Sequence, residues 1–256
     1  MSRVSRGLRI TGRVIKLIFF CVIFAVIGLL LWRVFSSGDP DSMKTITPND
    51  RLSAAYVAAE ERGEELYLFR QGQNQITSGE NNYGYFSVTE CVFIPEANQL
   101  QLVFRYNTAT LRHLQEDYGL AEVPGREEEL FDVSISVATD LTPDNAEDNL
   151  GNDPASVQFT RIHPTRVVTD QKNLYNYRRM VFDLGEAGLD LSALLDSDLL
   201  LAVYADIYYN RDIRYEENAY GTLCLYDYIS EKKPAELTRD DRKALDAYIE
   251  EKEKKQ

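Results

Sequence analysis

An unbroken run of sixteen apolar residues, Leu17 to Trp32, constrains this chain more than any other feature of its sequence. No polar face recurs along it at the helical period of 3.6 residues, which a surface helix of a globular domain would show. Lys16 and Arg33 flank the run, and such side chains can extend their charges towards a membrane interface. The pattern predicts a transmembrane signal anchor over residues 17–35. The alternative is a cleaved signal peptide, although Val34-Phe35-Ser36 is a poor cleavage site.

The charges around this segment predict an orientation. Residues 1–16 are basic and contain no acid, so the positive-inside rule places them in the cytoplasm as a short tail. Residues from about 36 onward are then extracytoplasmic, and the protein is expected in the cell membrane as a single-pass protein. The outer part holds no N-x-[ST] acceptor, which favours a bacterial exported protein over a eukaryotic secreted one.

The overall charge excludes nucleic acid as a partner. The chain has 28 basic and 41 acidic residues and a net charge of −13. Six of the basic residues lie at or before Arg33, which leaves 22 basic against 41 acidic residues and a net charge of −19 in the remainder. A surface of that sign repels phosphate backbones.

Most of the remaining chain alternates apolar and polar residues with the period of two that is typical of β-strands. Clear examples are FSVTECVFI, QLQLVFRY and FDVSISVA, and further strands are expected near 157–162, 175–184, 199–209 and 221–228. The apolar face of each example is expected to comprise, in turn, Phe86, Val88, Val92 and Ile94; Leu100, Leu102, Phe104 and Tyr106; and Phe131, Val133, Ile135 and Val137. The prediction is a mainly β fold: an antiparallel β-sandwich, immunoglobulin-like or similar, with a jelly roll as the alternative. Helices are expected over 48–62, 108–120, 190–197 and 239–253. Thr47 is the expected cap of the first, Gly63 and Gly119 are expected to end the first two, and Thr238 and Asp241 have the spacing of a capping box before the last.

These elements predict a domain organisation in five parts. Residues 1–16 form the basic tail and 17–35 the anchor. Residues 36–65 form a linker and a membrane-proximal helix, 66–230 the β-sandwich, and 231–256 a charged C-terminal helix. Cys91 and Cys224 are each expected on the face opposite the apolar set of their strands, which favours two free thiols over a disulfide bond.

No pattern of catalytic or cofactor-binding residues is recognisable, so we expect a protein that is not an enzyme and binds no cofactor. The two histidines, His113 and His163, have no metal-ligand spacing, and no nucleophile elbow or phosphate-binding loop occurs. The loop 139–153 is rich in Asp and Asn and is the best candidate for Ca²⁺. It lacks the EF-hand pattern and has the composition of a solvated loop, so we expect no metal site there.

The region from 204 to 228 is rich in tyrosine and supplies the candidate binding residues. Tyrosine and arginine are favoured at recognition surfaces, although strand tyrosines also line cores. The candidates are Tyr204, Asp206, Tyr208, Tyr209, Arg211, Asp212 and Tyr215.

Two functions are compatible with these features. The first is a non-enzymatic interaction module whose partner is another protein at the cell surface or in an envelope complex. The alternative is a carbohydrate-binding or carbohydrate-active protein that uses the tyrosine- and aspartate-rich strands as a platform for sugar rings.

Overall fold

A computed structural model of the chain describes residues 3–36, 39–72, 77–78, 86–141, 160–190, 200–212, 221–226 and 234–255. The chain divides into two compact units, Met1–Pro40 and Asp41–Gln256. The first unit contains one long helix, α1 (Arg3–Ser36). The second contains all the described strands and the other helices.

Helix α1 carries the apolar run, and its side chains from Lys16 to Trp32 are exposed. In the described part of the chain, no helix combines the length and the apolar content that a membrane crossing requires. The predicted transmembrane signal anchor over 17–35 is therefore wrong, and so is the predicted single-pass location with a cytoplasmic N-terminus and an extracytoplasmic domain. The physical reason is length: sixteen apolar residues between two charges rise about 24 Å as a helix, whereas a hydrocarbon core is ~30 Å thick.

The second unit is built mainly from strands. Its helices are α2 (Asp50–Arg62), α3 (Thr108–Tyr118) and α4 (Arg239–Glu253), with single 3₁₀ turns at Asp41–Met43 and Gly185–Ala187. The strands are β1 (Tyr67–Gly72), β2 (Thr77–Ser78), β3 (Phe86–Ile94), β4 (Gln99–Asn107), β5 (Phe131–Leu141), β6 (Thr160–Ile162), β7 (Arg166–Lys172), β8 (Tyr175–Asp183), β9 (Leu200–Tyr209), β10 (Gly221–Tyr226) and β11 (Ala235–Glu236).

Two antiparallel sheets are formed by these described strands. The first has the order β11-β1-β3-β4-β8-β7 and the second the order β2-β10-β9-β5-β6. Without the outlying β1, β2 and β11, the orders are β3-β4-β8-β7 and β10-β9-β5-β6. We letter β3, β4, β5, β7, β8, β9 and β10 as A to G in chain order. The first sheet then has the order A-B-E-D and the second the order G-F-C, with β6 as an extra strand beside C. This is the strand order of an immunoglobulin-type sandwich.

The two sheets face each other across one hydrophobic core. Alternate residues of β4, β5 and β9 supply it, because side chains on a strand point to opposite faces in turn. The predicted inward set of β4 is confirmed: Leu100, Leu102, Phe104 and Tyr106 all lie in this core. The predicted inward set of β5 is confirmed in the same way, from Phe131 to Val137.

A β-bulge in β3 changes which face its residues occupy. The pairing of β3 with β4 shifts between Val88 and Glu90, so Thr89 is an extra residue. Before the bulge Phe86 and Val88 point into the inter-sheet core; after it, Cys91 does so. The prediction that Cys91 lies on the face opposite the apolar set is therefore wrong, although its thiol is free. The side chain of Cys224 lies outside the described residues.

Helices α2 and α4 add a third layer on the outer face of the first sheet. Leu52 and Tyr56 from α2 and Leu245 from α4 pack with Val92 and Ile94 of β3. This layer also buries polar side chains of β4: Gln101 exchanges hydrogen bonds with the backbone of Thr47, at 2.7 and 2.9 Å. The outer face of the first sheet is therefore an interior surface.

Buried charges tie this layer together. Arg179 of β8 is fully buried, donates to Glu90 at 2.8 Å and donates to the Met43 carbonyl at 2.6 Å. Arg70 of β1 bridges Glu90 and the fully buried Asp241 of α4. Burial lowers the pKa of Arg179, and the carboxylate of Glu90 opposes that shift. The network joins strands β1, β3 and β8 to the C-terminal helix.

The helix ends follow local capping chemistry. The predicted stops at Gly63 and Gly119 are confirmed, since both adopt left-handed φ values of 70° and 59°. The predicted capping box of Thr238 and Asp241 is confirmed at α4. Helix α2 begins differently: its N-cap is Asn49, whose side chain accepts from Leu52 N at 2.9 Å, and Thr47 is not the cap. The predicted helix over 190–197 lies almost entirely outside the described residues.

Candidate functional site

The edge of β5 that faces β6 is only partly paired. Strand β5 pairs with β9 from Phe131 to Leu141. It pairs with β6 only from Ile135 to Val137, and the last of these pairs is Ile135 with Ile162. Among the described residues, the stretch from Phe131 to Ser134 therefore has a strand on one side only.

Proline explains why β6 stops there. Continuing the register by two residues would place Pro164 opposite Val133. Proline has no N–H and cannot donate to a ladder. The chain instead turns at His163 and Pro164 and enters β7 of the other sheet.

The backbone of Val133 points to this unpaired side. Residues on a strand alternate in the direction of their backbone groups, and Asn210 N donates to Leu130 O at 2.9 Å, on the β9 side. Leu130, Asp132 and Ser134 thus face β9, while Phe131, Val133 and Ile135 face the other way. Arg178 Nη1 confirms this alternation by donating to Phe131 O at 2.9 Å from the opposite sheet.

A cleft of about 480 Å³ follows this edge; we name it the edge cleft. It extends from the inner face of the first sheet to the outer face of the second. Its lining residues are Glu129, Phe131, Asp132, Val133, Ser134, Arg161, His163, Pro164, Val167, Arg178, Met180 and Tyr208. The volume is within the range of ligand sites.

One wall of the edge cleft is a stacked group on the outer face of the second sheet. The guanidinium of Arg161 lies 5.2 Å from the ring centre of Tyr208 and donates to its hydroxyl. Arg161 also lies 3.9 Å from Asp206, which accepts from Ser136 Oγ at 3.2 Å. Beside them Ser134 is fully buried, and its hydroxyl has no hydrogen-bond partner among the residues that the structure describes.

The opposite wall is formed by Arg178, which also lines a second cleft of about 320 Å³. We name this second space the amide cleft. Arg178 is 7 % exposed and lies 5.9 Å from the ring of Tyr106. Burial raises the pKa of Tyr106, and the nearby guanidinium of Arg178 opposes that shift.

Asn176 lies in the amide cleft on the same face as Arg178, directly across from Tyr106 on β4. It is 4 % exposed, and among the described residues neither its Oδ1 nor its Nδ2 has a hydrogen-bond partner. Arg126 Nε, on the facing loop, is also buried without one. Because buried polar groups are normally hydrogen-bonded, three such atoms on one cleft are unusual.

The structure separates the residues that the sequence grouped as candidates. Tyr204, Asp206 and Tyr208 share the outer face of the second sheet, and Tyr208 lines the edge cleft. Tyr209 lies in the core, with its ring centre 4.6 Å from that of Tyr118. Arg211 and Asp212 lie in the following turn, where Arg211 pairs with Glu128 at 2.5 Å and Asp212 accepts from Tyr118 at 3.1 Å. Tyr215 lies outside the described residues.

Sequence reasoning missed most of the residues around the two clefts. Arg178 and Asn176 lie within a strand that was predicted, but neither was singled out. Their signal was present, because an Arg-Arg pair and an Asn interrupt the strand YNYRRMVFDL. The signal for the partly paired edge was Pro164, which lies two residues after the last residue of the short strand β6.

Neither catalysis nor metal binding has support in the described residues. His163 and Ser134 line the same cleft, but Ser134 Oγ makes no hydrogen bond to His163 or to any other described residue. The described part of the chain holds no group of three or more potential metal-ligating side chains. Most of the loop 139–153, the best calcium candidate, lies outside the described residues.

Comparison with known proteins adds no homologue: no family model, no curated protein and no solved structure matches this chain.

Proposed function

We propose that this protein is a non-enzymatic interaction module that binds an extended segment of a partner protein in the edge cleft. The observation that carries the proposal is the edge of β5 at Val133, which no described strand pairs on the β6 side and which lines a cleft of about 480 Å³. A peptide that adds as a strand would pair with β5 at Val133, beyond the point where β6 ends at Ile162. Strand addition is a recurrent mode of peptide recognition.

The size of the edge limits what the backbone contributes. Val133 offers one donor and one acceptor, and each hydrogen bond contributes a net ~0.5–1.5 kcal/mol. Together they stabilise the complex by about 1–3 kcal/mol, which corresponds to a factor of roughly 5 to 150 in affinity. Most of the affinity must therefore come from side chains against the exposed lining residues Arg161, His163 and Val167.

A sugar platform has less support. Stacking on a sugar ring needs an aromatic face that is open to the ligand. The ring of Tyr208 is 4 % exposed and lies beneath Arg161, and Tyr209 lies in the core. A peptide can form ladder hydrogen bonds with the backbone edge of β5, whereas a sugar has no peptide backbone to pair with it.

The test uses the full chain and a displayed library of random nine-residue peptides. Selected peptides are titrated against the wild type and two variants of the same hairpin. Val167 lines the cleft and is 43 % exposed, while Leu174 in the β7–β8 turn is 67 % exposed and does not line it. We expect Val167→Trp to weaken binding at least tenfold and Leu174→Trp less than twofold. A library without binders, or equal effects of the two variants, would refute the proposal.

A further inference from the structure

The amide cleft is adjacent to the edge cleft, and the two share Glu129 and Arg178. A segment bound along β5 therefore lies next to the residues that separate the two clefts. What the amide cleft accepts is determined by its unsatisfied polar atoms and by its charge.

The unsatisfied atoms of Asn176 are one acceptor and two donors on a single planar group. A ligand that uses both sides must donate to Oδ1 and accept from Nδ2. A carboxamide does both at once, since it has the same two groups in the same arrangement. A carboxylate only accepts, and an ammonium only donates. This conclusion does not depend on which side-chain atom is oxygen, because neither atom has a partner in the described part of the chain.

Charge around the cleft also disfavours a carboxylate. Glu127, Glu128, Glu129 and Asp170 line it, against Arg126 and Arg178. Arg211 compensates Glu128 at 2.5 Å, and the Gly125 N–H and Arg211 hold the pKa of Glu128 below its usual value. Three carboxylates then face two guanidinium groups. A neutral ligand enters without the repulsion that an anion meets.

We propose that the amide cleft is a specificity site that binds a carboxamide side chain, Asn or Gln, of the same partner segment. This inference rests on the proposed function, because the segment in the edge cleft delivers the side chain. Asn176 pairs with the incoming carboxamide, and Arg126 Nε donates to the same carbonyl oxygen.

The first test uses acetamide and acetate as probes on the full chain, and follows the side-chain NH₂ resonances of Asn176. We expect acetamide to shift these resonances saturably, with acetate at least tenfold weaker. Asn176→Leu removes atoms without a partner among the described residues, so this variant should fold. In Asn176→Leu, and in the near-isosteric Asn176→Asp, acetamide should no longer cause saturable shifts in the resonances of the other residues that line the cleft. Gln115→Leu on α3 is the control for loss of a distant carboxamide. Equal shifts with acetate, or no saturable shift, would overturn the inference.

The second test separates this inference from the proposed function. In peptides selected on the edge cleft, the Asn or Gln is replaced by Glu or Met. We expect at least a tenfold loss of affinity with the wild type and less than a twofold loss with Asn176→Leu. If peptides still depend on Val167 while the replacement has no effect, only the carboxamide site is refuted. If acetamide binds at Asn176 but no peptide depends on Val167, only the proposed function is refuted.

Discussion

Arg178 Nη1, on one sheet, lies 2.9 Å from the carbonyl oxygen of Phe131 on the other. This hydrogen bond crosses the sandwich at the boundary between the edge cleft and the amide cleft. It is also charge-assisted and buried, which makes it stronger than a surface contact.

Replacing Arg178 by Leu should therefore lower the free energy of unfolding. A hydrogen bond to a charged group contributes ~1.5–3 kcal/mol, and we expect a loss of that size in urea denaturation. Arg112→Leu, at an exposed position of α3, is the control and should change the value by less than ~0.5 kcal/mol. An Arg178→Leu protein as stable as this control would show that the cross-sheet bond contributes nothing.

The buried network predicts a larger effect at Glu90. Glu90→Leu removes the carboxylate 2.8 Å from Arg179, which then has a buried charge without its ion-pair partner. Breaking such a pair costs about 3–5 kcal/mol, whereas replacing both partners by apolar residues is often nearly neutral. Glu90→Leu should thus be strongly destabilised, and Glu90→Leu/Arg179→Met should recover most of the loss. Glu116→Leu on α3 is the exposed control.

A double variant no more stable than Glu90→Leu would contradict that expectation. It would mean that Glu90 contributes through packing rather than by compensating the Arg179 charge.

Alkaline pH should destabilise the fold partly through Tyr118. Burial, followed by the hydrogen bond to Asp212, raises the pKa of Tyr118 to about 12 from its usual 10.0. The unfolded chain therefore releases this proton first, so the stability is complete below pH 10 and declines from there to about pH 12. In urea unfolding at pH 9 to 12, Tyr118→Phe should show a shallower decline than the wild type. Tyr67→Phe controls for the loss of a hydroxyl, and parallel declines for Tyr118→Phe and the wild type would count against the assignment.

The thiol of Cys91 should be unreactive in the native protein. Its side chain is fully buried, and burial raises the pKa of the thiol. A thiol reacts as the thiolate, so reaction with a disulfide reagent at pH 8 should require unfolding. The measurement uses a chain that keeps Cys91 alone, through Cys21→Ser and Cys224→Ser. Rapid labelling without denaturant would place Cys91 at the surface instead.

The strands of the sandwich were predictable where alternation is regular. Strands β4 and β5 have inward and outward residues in strict turn, and both faces were assigned correctly. In β3 the extra residue Thr89 shifts the phase, so a pattern read straight through assigned Cys91 to the wrong face. The alternation of apolar and polar residues does not reveal a single-residue bulge. Its only trace in this sequence is Glu90, which interrupts the apolar positions of β3.

The outer face of the first sheet was not predictable from its own strand. Gln99 and Gln101 have the composition of a solvent-exposed face, yet both are fully buried. They are covered by α2, α4 and the segment near Thr47, which come from the two ends of this unit. Contacts across such separations follow from tertiary packing and not from local periodicity.

The site was the least predictable part. Tyrosine content pointed to β9, and Tyr208 does line the edge cleft, but Arg161 covers its ring. The edge at Val133 depends on where a neighbouring strand ends, and the amide cleft depends on an Asn whose side chain has no partner among the described residues. Both are properties of the assembled sheets.

Hydrogen exchange at the Val133 amide tests the proposed binding mode most directly. In the free protein, this N–H should exchange faster than those of Asp132 and Ser134, which face β9, and faster than that of Ile135, which pairs with Ile162. A selected peptide should slow exchange at Val133 at least tenfold. Methylation of the peptide nitrogen that pairs with Val133 should abolish both the binding and the slowing of exchange. Val133 protected like its neighbours in the free protein, or unchanged by a bound peptide, would contradict strand addition at this edge.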